Sequence, residues 1–424
     1  MITLPDYTLI EPVHRGHRTC VYRGIRTSDS LPVIIKTLTS ANPSRSEIER
    51  LEYEYNLTRS LAASEIVRAY DFINAGYSRA LILEDFGGIS LHQYLKLARP
   101  EVSILLGIAV AIVKAVDVIH RERIIHKDIK PQNIFINKIS KEIKITDFSI
   151  ASRMIKETPA VMNPEFIEGT LAYMSPEQTG RMNRSIDFRS DYYSLGVTLY
   201  ELFTGVLPFA FSDPMELIHA HIAMQAIPVD RVNSAVPPVL SRIIMKLLSK
   251  NAEDRYKTAG GILADLEECL KRLAKYTVVD DFPLGAKDRS DSFIIPEKLY
   301  GRNRHLEALY HEYQRVVQGE FRMILCSGPP GIGKSSLIKE IHKPLVKEKG
   351  YFISGKFDQY KRTFPYLAFI QAIQDLVRQI LTESEEQLEN WKKIIVAALE
   401  NDGPILVNVF PDIELIVGHH TMQD

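Results

Sequence analysis

One stretch of the sequence carries side chains suited to transferring a phosphoryl group to a hydroxyl. Residues 124–133 read Ile-Ile-His-Lys-Asp-Ile-Lys-Pro-Gln-Asn. Asp128 can orient an acceptor oxygen and take its proton, Lys130 can offset charge on the moving group, and Asn133 can hold a magnesium ion. A strand-like segment then delivers Asp147 to a turn, where its carboxylate can bind the same metal. Either motif alone could arise by chance, but their order and spacing together predict a phosphotransfer site.

The composition is ordinary for a globular protein and limits the classes of partner. The 424 residues are enough for two or three domains. A net charge of -1 argues against a dedicated nucleic-acid or membrane-surface protein, so we expect neither partner. The longest uncharged run, residues 102–113, is too short to cross a bilayer and predicts a buried helix. The three cysteines are scattered and a signal peptide is not recognisable, which predicts a cytoplasmic protein with no membrane span.

The elements that must position the phosphotransfer residues begin with three candidate strands. These cover residues 9–13, 20–25 and 32–38. The turn between the first two contains Gly16. A loop that covers phosphates needs glycines so that backbone amides can approach closely, but His14 and Thr19 stand where two more would be usual. By itself, this turn favours a plain hairpin.

A lysine and a glutamate on neighbouring elements could hold the phosphates. Lys36 lies near the end of the third apolar strand, and Glu54 lies on the helix that follows. That helix opens with a Ser-x-x-Glu capping box at Ser44. Glu54 could pair with Lys36 and direct its ammonium group at phosphates. The alternatives are a solvated lysine and a surface glutamate.

A further apolar strand, residues 80–86, runs into a glycine pair and suits a connector between two lobes. Its backbone at Glu84 and Phe86 could hydrogen-bond an adenine edge. Helices are expected over residues 91–96 and 102–120, the second leading directly into the phosphotransfer loop.

Two acidic residues are expected to brace this larger lobe. Asp191 opens an apolar helix and could hold backbone amides of the phosphotransfer loop, or could simply cap its own helix. Arg255, late in the lobe, is the expected buried partner of Glu177.

Together these residues resemble the eukaryotic-type serine/threonine protein kinase family over about residues 7–272. The resemblance implies an α+β bilobal protein kinase fold, with a small lobe over residues 7–86, a large lobe over 87–272, and Mg2+ and ATP in the cleft. The implied catalytic residues are Lys36, Glu54, Asp128, Lys130, Asn133 and Asp147, of which Asn133 and Asp147 would hold the metal. The implied ATP-binding residues are Val13, Gly16, Val21, Lys36, Glu84 and Phe86.

Other positions fit the family's pattern. Leu83 would be the gatekeeper before the hinge, and residues 175–177 stand for its Ala-Pro-Glu motif. Lys130 with Thr170 resembles the serine/threonine class rather than the tyrosine class.

Three positions depart from the family's pattern. Lys127 replaces the arginine of His-Arg-Asp, and a lysine cannot make the bidentate contact by which that arginine reads phosphorylation. Ser149 replaces the glycine of Asp-Phe-Gly, and the phosphate loop keeps only Gly16. Because every charged catalytic group is present, we expect an active kinase.

A second nucleotide motif follows a polar linker over residues 273–298. Residues 328–335 read Gly-Pro-Pro-Gly-Ile-Gly-Lys-Ser, after a predicted buried strand at 321–326 and before a predicted helix reaching Ile341. In this P-loop the backbone would cradle phosphates, Lys334 would reach them, and Ser335 would bind magnesium. The predicted nucleotide-binding residues are Gly328, Gly331, Gly333, Lys334 and Ser335.

The acidic strand end that a P-loop ATPase needs is hard to find here. Asp412, after residues 405–409, is the best candidate, but Phe410 and Pro411 intervene. From residue 299 onwards the chain resembles the STAND/AAA-type ATPase module of hybrid serine/threonine kinase–ATPase–sensor histidine kinase proteins. Residues 169–183 and 355–359 also match these proteins, in which the acidic strand lies further along.

We therefore expect a truncated product whose residues 299–424 form an incomplete α/β P-loop NTPase domain. This domain would bind nucleotide without efficient hydrolysis. Two functions follow for the chain. The first is a protein serine/threonine kinase in signal transduction, with protein substrates and possibly other signalling proteins as partners. The second is a scaffold in which a catalytically weak kinase fold regulates a multidomain ATPase. A stand-alone ATPase is disfavoured.

Overall fold

The computed structural model describes most of the chain, in several segments. These are residues 4, 6–16, 18–40, 42–75, 78–97, 100–153, 171–180, 184–275, 279–289, 299, 301–341, 350–357, 366–381, 383, 385–399, 406–407 and 409–418.

The N-terminal lobe is built on a five-stranded antiparallel sheet with strand order β1-β2-β3-β5-β4. Its strands are β1 (Tyr7–Arg15), β2 (Thr19–Arg26), β3 (Leu31–Leu38), β4 (Ala69–Ala75) and β5 (Ser78–Glu84). The three predicted N-terminal strands are therefore confirmed, each slightly longer than expected. In the register of β2 and β3, Val21 lies opposite Lys36. The β1–β2 hairpin therefore lies next to the strand that carries the lysine in the same sheet.

One long helix, α1 (Arg45–Ser60), crosses behind the sheet. It begins as predicted: Ser44 accepts from the backbone of Glu47, and the Glu47 side chain accepts from the backbone of Ser44. Its inward face buries Leu51, Glu54 and Leu57. A glutamate on a buried face among leucines is destabilising unless it is paired, so Glu54 needs a cationic partner.

The second lobe is mostly helical and contains the largest apolar core. A small sheet of β6 (Ile89–Ser90), β7 (Ile134–Ile136) and β8 (Ile143–Ile145) lies at its top. The helices are α2 (Leu91–Leu97), α3 (Val102–Arg121), α4 (Arg189–Thr204), α5 (Pro214–Ala223), α6 (Val229–Val232), α7 (Pro238–Leu247) and α8 (Ala259–Lys275). The loop between α3 and β7 contains the predicted phosphotransfer residues.

Helix α3 confirms the helix predicted over residues 102–120, and it extends beyond the uncharged run at residues 102–113. It continues past Lys114 to Arg121, and by length and composition alone it could cross a membrane. The core helix of a globular lobe has the same length and composition. Ten of its side chains are buried, and it packs against α8. We interpret α3 as the predicted buried core helix.

The C-terminal part contains helices and irregular segments. The helices are α9 (Asn303–Val317), α10 (Lys334–Lys339), α11 (Leu367–Ile380), α12 (Glu385–Leu399) and α13 (Glu414–Val417). A small cluster around Val377, Ile380 and Ile416 forms its core.

The strand predicted at residues 321–326 is wrong for this structure. No strand is assigned to the described residues from 299 onwards, and Phe321, Met323 and Leu325 are 91%, 85% and 87% exposed. An apolar run becomes a strand only where neighbouring backbone completes its hydrogen bonds, and the described residues offer it none. The helix after the P-loop also ends early, at Lys339 instead of Ile341. Asp412 lies in a 3-10 turn, Pro411–Ile413, and not at a strand end.

Candidate active site

The centre of the site is one buried lysine between two carboxylates. Lys36 Nζ lies 2.8 and 2.9 Å from the two carboxylate oxygens of Glu54, and 2.9 Å from Asp147 Oδ1. These groups come from β3, from α1 and from the turn after β8. The structure therefore brings together three predicted residues that are up to 111 positions apart in the chain.

Lys36, Glu54 and Asp147, here called the triad, have pKa values that shift for different reasons. Burial alone would lower the pKa of Lys36, but Asp147 and Glu54 outweigh burial and raise it. Burial would raise the pKa of Asp147, yet Lys36 lowers it below its usual range. For Glu54, burial dominates and raises the pKa to about 7, with Asp147 adding to the rise and Lys36 opposing it. One cation between two anions thus leaves Glu54 as the group that most readily takes a proton.

The phosphotransfer loop places its three predicted side chains around one carboxylate. Lys130 Nζ lies 2.8 Å from Asp128 Oδ2. Asn133 donates its amide to the same oxygen at 2.8 Å and to the backbone carbonyl of Asp128 at 3.0 Å. Asp128 Oδ1 is buried and has no hydrogen-bond partner among the described residues. An acceptor held in this way can receive a proton from an incoming hydroxyl.

Asp191, at the start of α4, fixes the backbone of this loop. It accepts from the backbone N–H groups of His126 and Lys127 at 2.8 and 2.7 Å, and from His120 Nε2 at 2.8 Å. Because the N-cap of α4 is Phe188, Asp191 does not cap its own helix, and the predicted contact with the loop is present. Burial would raise the pKa of Asp191, but the hydrogen bond with His120 helps to lower it.

A cavity of about 250 Å3, here called the hinge cavity, lies between the lobes. The predicted residues Val13, Val21, Glu84 and Phe86 line it, together with Leu83. The Phe86 N–H has no hydrogen bond within the described part of the chain and suits an adenine edge.

Gly16 does not line the hinge cavity, nor a second cavity of the cleft described below. Its N–H donates to the Thr19 carbonyl at 2.8 Å, so this end of the loop closes as a plain hairpin. A second cavity of about 670 Å3, here called the lysine cavity, contains Lys36, Glu54 and Asp147. It is also lined by residues of the β1–β2 turn and of the start of α1.

Several supporting residues were missed by the sequence analysis. Asn137 donates to the Phe86 carbonyl at 2.7 Å, so that carbonyl is already bonded. Lys144, buried on β8, pairs with the Glu84 carboxylate at 2.9 Å. Arg23 bridges to Asp85 at 2.9 Å beside the hinge cavity. Lys144 alone carried a signal, because a lysine between two isoleucines of a buried strand needs an anion.

The residues predicted to hold a metal have suitable chemistry. The Asn133 amide nitrogen donates to Asp128, so its Oδ1 is left to bind a metal ion. Asp147 contributes a carboxylate. Magnesium is often bound by one or two protein oxygens together with substrate phosphates. Among the described residues, three or more His, Cys, Asp or Glu side chains do not gather into a metal-binding group. The pair therefore fits a magnesium ion that arrives with a nucleotide.

The positions that depart from the kinase pattern have definite surroundings. Lys127 has φ of 66°, and its carbonyl accepts from Gln178 at 2.9 Å, which ties the loop to the turn at Pro176–Thr179. The Ser149 side chain hydrogen-bonds Asp147 and contributes to its lowered pKa. Thr170 lies outside the described residues.

The expected pair of Glu177 and Arg255 is present and buried. Two hydrogen bonds of 2.6 and 2.9 Å join them, and both side chains are at most 2% exposed. Burial would raise the pKa of Glu177, but Arg255 lowers it. The pair fixes the turn at residues 176–179 to the end of the large lobe.

The P-loop has a compact backbone. Gly331 and Gly333 adopt φ of 78° and 93°, which favour glycine, and α10 begins directly after Gly333. Lys334 Nζ donates to the carbonyls of Gly328 and Pro329 at 2.8 and 2.9 Å. Its ammonium group is therefore folded back onto its own loop. Ser335, at the second position of α10, follows directly.

Comparison with known proteins gives two family matches. The protein kinase domain family matches residues 7–266, and the AAA ATPase domain family matches residues 298–415. The chain is 38% identical over 275 residues to a hybrid signal transduction histidine kinase of Dictyostelium discoideum, which covers 60% of this chain and 8% of that protein.

Two further relatives cover more of the chain. A probable serine/threonine-protein kinase of Clostridium perfringens is 35% identical over 62% of this chain and 38% of its own length. A peroxide stress-activated histidine kinase of Schizosaccharomyces pombe is 26% identical over 85% of this chain and 17% of its own length. The chain thus spans well under half of each of these three relatives.

Proposed function

Because the chain belongs to the protein kinase domain family, we propose that it transfers the γ-phosphoryl group of ATP to serine or threonine hydroxyls of proteins. Bound Mg-ATP would supply the transferable group. Asp128 would orient the hydroxyl and accept its proton, while Lys130, 2.8 Å from that carboxylate, would offset negative charge. Lys36 would hold phosphates, and Asn133 and Asp147 would bind the metal.

The observation that carries this proposal is the state of Asp128. One carboxylate oxygen is held by Lys130 and Asn133, and the other is buried with no partner among the described residues. A purely structural aspartate would normally satisfy both oxygens. An oriented, half-satisfied carboxylate next to a lysine and an amide is what proton abstraction from a hydroxyl requires.

The test is transfer of labelled phosphate from Mg-ATP to the chain itself and to a generic basic protein. We expect Asp128→Asn to lower the rate by about 100-fold or more, because amide nitrogen cannot accept the proton. Lys334→Ala should leave the rate unchanged, since the P-loop is a separate site. Nucleotide binding by Asp128→Asn serves as the folding control.

The scaffold function makes the opposite prediction. In that case wild-type protein would bind ATP at the hinge cavity but transfer no phosphate. The tied hairpin at Gly16 is the observation that favours it. Wild-type protein without transfer, with nucleotide bound, would replace the kinase proposal by the scaffold.

We further propose that the P-loop binds a second nucleotide and hydrolyses it slowly. Lys334 would leave its own carbonyls to contact phosphates, and Ser335 would bind magnesium. The supporting observation for slow hydrolysis is Asp412, which does not follow a strand. We also propose a signalling role, which the hybrid signalling relative supports. The free thiols of Cys20, Cys269 and Cys326 support a cytoplasmic location, which we propose as well.

A further inference from the structure

Two arginines face the lysine cavity without a described anion to pair with. Arg18, in the β1–β2 turn, and Arg50, on α1, both line this cavity together with Lys36. Both are exposed, and neither forms a described ion pair or side-chain hydrogen bond. Other arginines of the same lobe do pair with carboxylates: Arg23 with Asp85 and Arg26 with Asp29.

The carboxylates that line the cavity already have partners. Glu54 and Asp147 share Lys36, and Glu47 accepts from the backbone and hydroxyl of Ser44. Arg50 already acts on the Glu54 carboxylate and lowers its pKa, so the charge that the cavity offers to a ligand is the guanidinium of Arg18. Such a surface suits a ligand with several negative charges, such as a triphosphate.

Arg18 is also held in place by its backbone. Its carbonyl accepts from the Thr39 N–H at 2.9 Å, directly beyond the paired part of β2 and β3. Meanwhile the Gly16 N–H is used within the hairpin, and His14 and Thr19 stand where a phosphate loop usually has glycine. The Gly16 amide is thus not available to a phosphate, while the Arg18 side chain beside it is.

We propose that Arg18 is a positioning residue for the ATP triphosphate, whose guanidinium takes over from the amides that a glycine-rich loop would supply. This inference rests on the proposed kinase function. A planar guanidinium can bind two phosphate oxygens at once, which a lysine cannot do. Arg18 would contact the terminal phosphate, the group that distinguishes ATP from ADP.

The experiment compares Arg18→Ala with Arg15→Ala in the full chain. Arg15 is an exposed arginine in the same hairpin that does not line the cavity. Both variants carry Lys334→Ala, so that binding is read at the kinase site alone. The measurements are KM for ATP in phosphotransfer, and the affinities for ATP, ADP and adenosine.

We expect Arg18→Ala to raise KM for ATP by about tenfold, the change in affinity expected from the loss of one weak charge-assisted hydrogen bond. ATP binding should weaken more than ADP binding, and adenosine binding should not change. Arg18→Lys should restore part of the loss, and added salt should weaken ATP binding less in Arg18→Ala than in Arg15→Ala.

Equal affinities of the two alanine variants for all three ligands would overturn the inference. So would an equal loss of adenosine affinity in Arg18→Ala, because it would indicate a disturbed hairpin. If wild-type protein transfers no phosphate, the proposed function fails, but the difference between ATP and adenosine binding still tests Arg18.

Discussion

At the scale of single residues, the triad of Lys36, Glu54 and Asp147 carries one positive and two negative charges, with Lys36 and Glu54 buried and Asp147 half-buried. When all three groups are ionised the net charge is -1, and a proton on Glu54 makes it neutral. Burial is the largest cause that raises the pKa of Glu54 to about 7, and the charge of Asp147 adds to it, whereas Lys36 lowers the pKa of Asp147. The arrangement therefore has a measurable dependence on pH.

Glu54→Gln should remove this dependence. Between the ordinary pKa of a glutamate and about 7, the native state holds a proton that the unfolded state has lost. The contribution of Glu54 to stability is thus full at low pH and falls as pH rises towards 7. We expect the melting temperature of the wild type, relative to Glu54→Gln, to decrease between pH 5 and pH 8.

The matched control is Glu49→Gln on the exposed side of the same helix, where Glu49 pairs with Arg45. Its difference from the wild type should stay nearly constant over this range. If the melting temperature of the wild type, relative to Glu54→Gln, instead increased with pH, the ionised pair with Lys36, and not burial, would set the pKa of Glu54.

Most of the charged residues of the site could be predicted from the sequence, because their spacing within short motifs is informative. The residues that escaped prediction are Asn137, Lys144 and Arg23. Each contacts the segment at residues 84–86 from a different strand or turn. Which strands meet there is a property of the assembled sheets: the local pattern at Lys144 calls for an anion but does not say which one.

At the scale of elements, Asp191 connects helix α4 to the phosphotransfer loop. Its carboxylate is fully buried and accepts two backbone amides of that loop. Without it, these amides would lie unpaired in the interior, and the position of Asp128 would no longer be fixed. The helix thus acts on the site through the loop backbone.

Asp191→Ala should destabilise the kinase half by about 3 kcal/mol or more, since each hydrogen bond to a charged group contributes roughly 1.5–3 kcal/mol. Asp213→Ala is a matched control, because Asp213 also accepts two backbone amides, those of Met215 and Glu216, but at a half-buried N-cap. Its cost should be near 1 kcal/mol. Denaturant unfolding followed by circular dichroism measures both, and equal costs would contradict the bracing role of Asp191.

The elements were predictable to different degrees for a physical reason. The N-terminal strands and the capping box at Ser44 are confirmed, because alternation and capping are local signals. The helix predicted over residues 102–120 is confirmed as α3, since its buried apolar face continues on both sides of Lys114. The strand at residues 321–326 failed, because a strand depends on partners that no local pattern provides.

At the scale of the whole molecule, one buried ion pair joins the two halves of the chain. Arg184 precedes α4 in the kinase half, and Glu340 follows α10 next to the P-loop. Their side chains are 3.2 Å apart and only 6% and 7% exposed. Sequence analysis could not have found this pair, because it depends on how the two halves meet.

A charge swap tests whether this contact joins the halves in solution. Arg184→Glu and Glu340→Arg should each lower stability, because each places two like charges together in a buried place. The double variant should recover much of the loss, with a coupling energy of about 1–3 kcal/mol. Swapping the exposed pair of Arg45 and Glu49 should give a coupling below about 1 kcal/mol.

Two signals can separate the halves in this experiment. The single tryptophan, Trp391, lies on α12 and reports the C-terminal half by fluorescence, whereas loss of phosphotransfer reports the kinase half. If Arg184 and Glu340 couple the halves, Arg184→Glu should also shift the Trp391 transition, although the substitution lies in the kinase half. Strictly additive effects, with an unmoved Trp391 transition, would mean that the halves unfold independently and that the P-loop cannot influence the kinase site through this contact.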